Sequence, residues 1–164
     1  MGSGRPVTAQ QLLATLADGP ARIAAAVGDA PPERLHASPK PGAWSANEVL
    51  AHLRACADVW GGCIGRILAE DEPTIRAVNP RTWIGSTDYV EQDFCDSLAA
   101  LTSQRAALVA VLAPLEPAAW WRRATVTGAG RPLVRTVHDY AAWLARHERP
   151  HVTQIQRTVE GLLE

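Results

Sequence analysis

Apolar residues recur at three- and four-residue spacing along four long stretches of the chain, and segments rich in proline and glycine separate them. This pattern predicts four helices. The first is expected from about Thr8 to Val27, with Leu12, Leu13, Leu16, Ile23 and Val27 facing inward and Gly19-Pro20 as a potential break or kink. The second opens on Ser45-Ala46-Asn47-Glu48, a capping box in which Ser45 accepts from the Glu48 amide and Glu48 reaches back to the cap. Trp44 and Val49 are placed for the hydrophobic staple that accompanies such a start. From there Val49, His52, Leu53, Cys56, Val59, Trp60, Cys63, Ile64 and Ile67 keep one stripe until Asp71-Glu72-Pro73 ends it. The third helix is expected from Ser86 or Thr87 through Phe94, Leu98, Leu101, Leu108, Val111 and Leu112 to Pro114, and the fourth from about Arg135 to Leu163. Strand character is confined to Ala124-Thr125-Val126-Thr127, ahead of Gly128-Ala129-Gly130. The expected fold is all-α, a four-helix bundle.

The connections Pro31 to Ala43, Glu72 to Gly85 and Pro117 to Val134 exceed the ~2–8 residues usual between bundle helices, so they are expected to cover a site. Residues 1–164 read as one domain, with residues 1–7 expected to be a flexible N-terminus. A content of 47% hydrophobic and 20% charged residues fits a folded globular chain and argues against disorder. Lys and Arg number 16 against 17 Asp and Glu, too balanced for a broad basic field, so neither nucleic acid nor an anionic membrane is an expected partner. The longest apolar run, Ala106 to Ala113, is far below the ~20 residues of a membrane-spanning helix. Met1 to Pro6 contains no apolar targeting segment, and Cys56, Cys63 and Cys95 are an odd set without a close CxxC pair. A cytoplasmic location with reduced thiols and no structural disulfide follows as the expectation.

The densest chemistry lies in His147-Glu148-Arg149-Pro150-His151, which spells HExxH and puts two imidazoles on one helical face. A zinc-protease reading would make Glu148 the general base, but it needs a third ligand, and only thirteen residues follow His151. The extended form of that motif also requires glycine where Gln154 stands. The third ligand is better sought in His52, which interrupts the apolar stripe of the second helix. Taken alone, His52 could equally be a core histidine satisfied by a carbonyl or carboxylate. Three imidazoles from two helices, however, make a neutral facial set that leaves metal positions open to water or substrate, the arrangement of a catalytic metal.

Two segments carry a family resemblance. Trp44-Ser45-Ala46-Asn47-Glu48-Val49-Leu50-Ala51-His52-Leu53 resembles the helix-two motif of the DinB-like metal-binding four-helix bundles. His147 to His151 followed by Gln154-Ile155 resembles their helix-four motif, and the likeness extends from about Thr8 to Leu163. That superfamily includes bacillithiol- and mycothiol-dependent transferases. The resemblance implies a DinB-like bundle with long connecting loops and a metal triad of His52, His147 and His151. It also implies a divalent transition metal such as nickel, zinc or manganese, among which imidazole ligation does not choose. Related bundles often pair, so a homodimer is an expectation as well. The implied function is S-transfer of a low-molecular-weight thiol, bacillithiol or mycothiol, onto a small-molecule substrate. Metal-dependent hydrolysis is the alternative, followed by a non-catalytic stress protein that binds a metal or small ligand, and by a purely structural module.

Other residues are read conservatively. Cys56, one turn beyond His52, is expected to be a small buried hydrophobe and not a ligand or redox handle. Glu148 points ~100° away from His147 on an ideal helix, so a solvated acid is expected. Gln154 is placed to hydrogen-bond a ligand or a neighbouring helix, and Pro150 predicts a local kink. His36 and His138 lack spacing partners and are expected in solvent. Arg122, Arg123, Arg131 and Arg135 are candidates to clamp carboxylates, against the ordinary reading of a solvated face. Trp44, Trp60, Trp83, Trp120, Trp121 and Trp143 are expected to be mostly core or interface anchors.

Overall fold

Thr8 starts helix α1 (Ala9–Val27) by accepting from the Gln11 amide while the Gln11 side chain accepts from the Thr8 amide. The computed structural model describes residues 7–161. The expected flexible stretch 1–7 therefore lies outside the described residues except for Val7, whose carbonyl accepts from His138 Nε2 at 2.9 Å. Gly19 and Pro20 lie inside α1 without ending it. The glycine has a packing role, since a Cβ there would run into Glu148 Oε1 of the last helix. Gly19→Ala is therefore expected to destabilise the protein by ~1–3 kcal/mol in urea denaturation, even though alanine is the better helix former by ~1 kcal/mol. An unchanged or raised midpoint would show that Glu148 moves aside freely.

A short helix, α2 (Pro32–His36), crosses to α3 (Ala46–Ala69). The Ser45 capping box forms as the sequence predicts, with Glu48 N to Ser45 Oγ at 3.1 Å and Ser45 N to Glu48 Oε2 at 2.7 Å. After α3 the chain makes strand β1 (Thr74–Arg76), the four-residue α4 (Pro80–Trp83) and a 3₁₀ turn at Ile84–Ser86.

Helix α5 (Phe94–Leu112) begins later than Ser86, because Asp93 caps it through the Cys95 amide at 2.8 Å. The residues before it are claimed by α3. Asn47 Nδ2 donates to the carbonyls of Val90 and Gln92 at 3.0 and 3.1 Å, and Arg54 Nη1 donates to Gln92 Oε1 at 2.6 Å. Side chains of α3 thus take carbonyl bonds that a longer α5 would have used within itself.

A 3₁₀ turn (Pro117–Trp121) leads to β2 (Arg123–Thr127), β3 (Leu133–Thr136) and the last helix, α6 (Val137–Gly161). The three strands form one sheet in the order β1-β2-β3, with β1 parallel to β2 and β2 antiparallel to β3. Only β2 was legible in the sequence, since β1 and β3 are three and four residues long. Forming β3 also delays the last helix from Arg135 to Val137, where Thr136 and Asp139 bond reciprocally at 2.8 and 3.0 Å. The glycines at 128 and 130 take φ of 85° and 88°, which the β2–β3 turn requires.

Helices α1, α3, α5 and α6 form the four-helix bundle, with α6 packed against α3 and α1, and α5 against the same two. One core cluster gathers Leu16, Trp60, Ile64, Leu112, Tyr140 and Leu144, and the other gathers Ile23, Leu50, Phe94, Leu101 and Ile155. Each fully buried large side chain contributes ~1.5–3 kcal/mol by leaving water. None of the described helices is long and apolar enough to cross a membrane. The cysteines Cys56, Cys63 and Cys95 are all unpaired.

Glu148 departs from its expected place in solvent. It is 4% exposed and accepts from Arg105 Nη2 at 2.6 Å, with Arg105 itself 3% exposed. The ~100° rotation from His147 is real, but α6 is flanked on both sides, so the turn carries Glu148 onto α1 and α5 and not into water. Burial raises its carboxyl pKa, while the Arg105 guanidinium acts in the opposite sense.

Candidate metal centre

His52 of α3 and His147 and His151 of α6 meet between the two helices, with one donor nitrogen from each within 4.8 Å of the others. The separation of four residues places His147 and His151 on one face of α6, and the stripe of α3 brings His52 opposite them. His52 Nε2 is 3.1 Å from His147 Nε2, which is 3.2 Å from His151 Nε2. An ion bound at ~2.1 Å holds neighbouring nitrogens ~3.0 Å apart at right angles and ~3.4 Å apart at the tetrahedral angle, so these spacings suit a facial trio. Hydrogen bonding alone serves the trio poorly. Each Nε2 has one in-plane site, a proton or a lone pair, so His147 can pair with one neighbour only and the third nitrogen is left over. A cation accepts all three lone pairs at once.

The electrostatics agree with the geometry. Burial, then the neighbouring His151 and His147 and finally Arg81 pull the His52 pKa down to about 4. Burial, followed by His151 and Arg81, also lowers that of His147. Both rings are consequently neutral donors near pH 7. The metal-free protein should lose stability as the pH falls from about 6.5 to about 4, because unfolded His52 takes up a proton over that range and folded His52 does not. The loss is expected to be on the order of 1–3 kcal/mol, read from urea midpoints of chelator-treated protein. A His52→Asn variant should flatten it, and an equal slope in both proteins would assign the effect elsewhere.

Gln154 Oε1 accepts from His151 Nδ1 at 2.8 Å, which leaves the proton on Nδ1 and the Nε2 lone pair free for a metal. Gln154→Leu is expected to weaken metal binding by ~10–100-fold in competitive chelator titrations, with the fold intact. An unchanged affinity would reduce that bond to simple packing. Pro150 is exposed and does not interrupt α6. Cys56 behaves as a buried small residue: its Sγ lies 3.5 Å from His52 Nε2, and burial pushes its thiol up to about 12, so it stays protonated and outside the nitrogen trio.

The trio opens onto a cleft of about 670 Å³. Trp60 of α3 and Trp143 of α6 form one wall, stacked with ring centroids 4.6 Å apart, and Trp60 meets His147 edge-on at 5.1 Å. Ala77 to Arg81 and the hairpin tip Gly128-Ala129 supply the other walls. Two of the three long connections, 72–85 and 117–134, therefore line the site while 31–43 does not, and the small sheet is what holds those two there, β1 leading directly into the 77–81 segment and β2 into the tip.

Asp58 of α3 pins the same cover by accepting from Trp83 Nε1 at 3.1 Å and from the Tyr89 hydroxyl at 2.7 Å. Arg81 and Asn79 are cleft residues that sequence reasoning missed, because a loop has no period to betray which side chains turn inward. The arginines singled out earlier lie elsewhere. Arg122 donates to the Glu70 carbonyl at 2.7 Å, Arg123 pairs with Glu72 at 2.7 Å, Arg131 is exposed, and Arg135 sits over the Trp143 ring outside the cleft lining. His36 is exposed, and His138 stacks on Trp121 at 4.9 Å.

No curated protein matches the chain in sequence. Among solved structures it is similar to YfiT from Bacillus subtilis, described as a probable metal-dependent hydrolase with an unusual four-helix bundle topology. The match has a TM-score of 0.82 at 20% identity, covering 99% of this chain and 91% of that one, and it establishes the fold. Residues 15–155 match the sequence model of the DinB superfamily, a span that includes His52, His147 and His151. This chain belongs to the DinB superfamily.

Proposed function

We propose that the protein is a divalent-metal-dependent transferase that turns a low-molecular-weight thiol, such as bacillithiol or mycothiol, into a nucleophile against a small electrophilic substrate. The observation that carries this reading is the convergence of three imidazole nitrogens on a cleft whose lining residues include no carboxylate. When bound, a nickel, zinc or manganese ion would supply Lewis acidity that lowers the pKa of a thiol or water at an open position. His52, His147 and His151 would hold the ion as neutral ligands, and Gln154 would keep the His151 ring in the right tautomer.

Trp60 and Trp143 exclude water from one side, which strengthens electrostatic interactions in the cleft. Glu148, the acid that a protease of the HExxH type would use as base, is turned onto Arg105 and does not line the cleft. Attack by a thiol already ionised needs no base at that moment, whereas water attack ordinarily uses a base and amine departure an acid. The missing base favours thiol transfer on this ground.

Hydrolysis is the second reading, favoured by the likeness to YfiT as that protein is described. Protein reconstituted separately with nickel, zinc and manganese should be assayed with bacillithiol or mycothiol and 1-chloro-2,4-dinitrobenzene, beside a panel of esters and amides. Thiol-dependent conjugation without hydrolysis supports the transferase. Thiol-independent hydrolysis establishes the second reading, and full metal occupancy with neither activity points to a binding protein.

A further inference from the structure

We propose that Arg81 makes the cleft selective for an anionic ligand, its guanidinium gripping a carboxylate at one end while the other end reaches the histidine trio. This assignment rests on the metal-dependent reading above and adds the charge class of the thiol or substrate.

The first support is charge balance. Three neutral imidazoles leave the full double charge of a bound divalent ion in place, and the cleft lining contains Arg81 but no Asp or Glu. The acids on the flanking helices lie outside that lining and are hydrogen-bonded elsewhere, Glu48 to the Ser45 amide and Glu160 to the Gln156 side chain among them. Asp58 accepts from Trp83, Tyr89 and Gln104, Glu148 pairs with Arg105, and Asp139 accepts from the Thr136 amide. No carboxylate stands in the lining itself to offset the positive field, so an incoming anion is the group that does.

The second support is the state of Arg81 itself. Like several other exposed arginines, Arg81 has no hydrogen-bond or ion-pair partner for its guanidinium among the described residues, but it alone of them lines the cleft. It lies 5.2 Å from the centroid of the Trp44 ring, and that ring lies 5.2 Å from the ring of His52. A guanidinium over an aromatic face keeps its N–H edges available, and those edges match a carboxylate two bonds at a time. The shelf of Trp44 thus sets the charged fork beside the trio with its donors unspent.

The third support is that Arg81 is held in place. Asn79 Oδ1 accepts the Arg81 amide at 2.9 Å, and Trp83, two residues on, is tied to Asp58 of α3 at 3.1 Å. A pinned backbone reduces the ordering cost of using the side chain as a clamp.

The test uses cobalt(II)-loaded protein and reads thiol binding from the visible absorption of the ion. The ligands are 3-mercaptopropionate and 6-mercaptohexanoate, each compared with the alcohol of the same length. Arg81→Gln is expected to weaken one or both acids by ~10-fold or more, the scale of a charge-assisted hydrogen bond, while leaving the alcohols unchanged. Arg81→Lys should fall between the two, because it keeps the charge and loses the fork. Comparing acid with alcohol across the variants cancels the intrinsic difference between the thiols. If Arg81→Gln binds every acid and alcohol as the parent does, the Arg81 assignment is overturned and the metal reading stands. If no thiol alters the cobalt spectrum of the parent, the open metal site is itself refuted and this inference goes with it.

Discussion

Replacing His52 with alanine is expected to strip the protein of its metal, from close to one equivalent per chain to below ~0.1 after reconstitution and gel filtration. His52 is the sole member of the trio on α3, and the two nitrogens left on α6 do not surround an ion. Loss of an outer-shell partner alone costs ~10–100-fold in affinity, so loss of a direct ligand should cost more than ~100-fold. Elemental analysis with nickel, zinc and manganese, on protein free of tag histidines, reads the result directly. Thermal melting supplies an independent reading. Metal at 100 times its dissociation constant stabilises the native state by ~2.7 kcal/mol, so it should raise the melting temperature of the parent and leave that of His52→Ala unchanged. Retained metal in a folded His52→Ala protein would mean that the trio is packing and the ion binds elsewhere.

Arg105→Met is expected to cost ~3–5 kcal/mol, a fall of roughly 6–20 °C in melting temperature for a chain of this size. The substitution strands the Glu148 carboxylate at 4% exposure with no partner of opposite charge in contact. The pair is itself incompletely satisfied, since Arg105 Nε and Nη1 have no hydrogen-bond partner among the described residues. The double variant Arg105→Met, Glu148→Gln should therefore recover most of the loss, and the two changes should be strongly non-additive. Differential scanning calorimetry of the four proteins measures both effects. Metal content should stay at the parent level in the double variant, because Glu148 faces α1 and α5 and not the trio. A single Arg105→Met variant as stable as the parent would show that water already reaches this pair.

The parts of the molecule legible along the chain are those set by neighbours three or four residues apart. The Ser45–Glu48 capping box, the stripe from Val49 to Ile67 and the spacing of His147 and His151 each involve one helix and its own backbone, so periodicity and cap chemistry were enough to find them. The odd polar residue in an apolar stripe, His52, was legible for the same reason. Where α5 begins, which way Glu148 points, and that Arg81 lines the cleft depend instead on residues more than forty positions apart or on an aperiodic loop.

By itself the sequence determined four long helices, the start of α3 and the two histidine positions of α6 together with the candidate on α3, since cap bonds and helical period are local. Only the tertiary structure decided that the three Nε2 atoms meet, that a three-stranded sheet props the loops over them, and that Glu148 serves the core. Those outcomes follow from how α6 is clasped between α1 and α3, because a residue's exposure is fixed by what packs against each side of its helix and not by its own polarity.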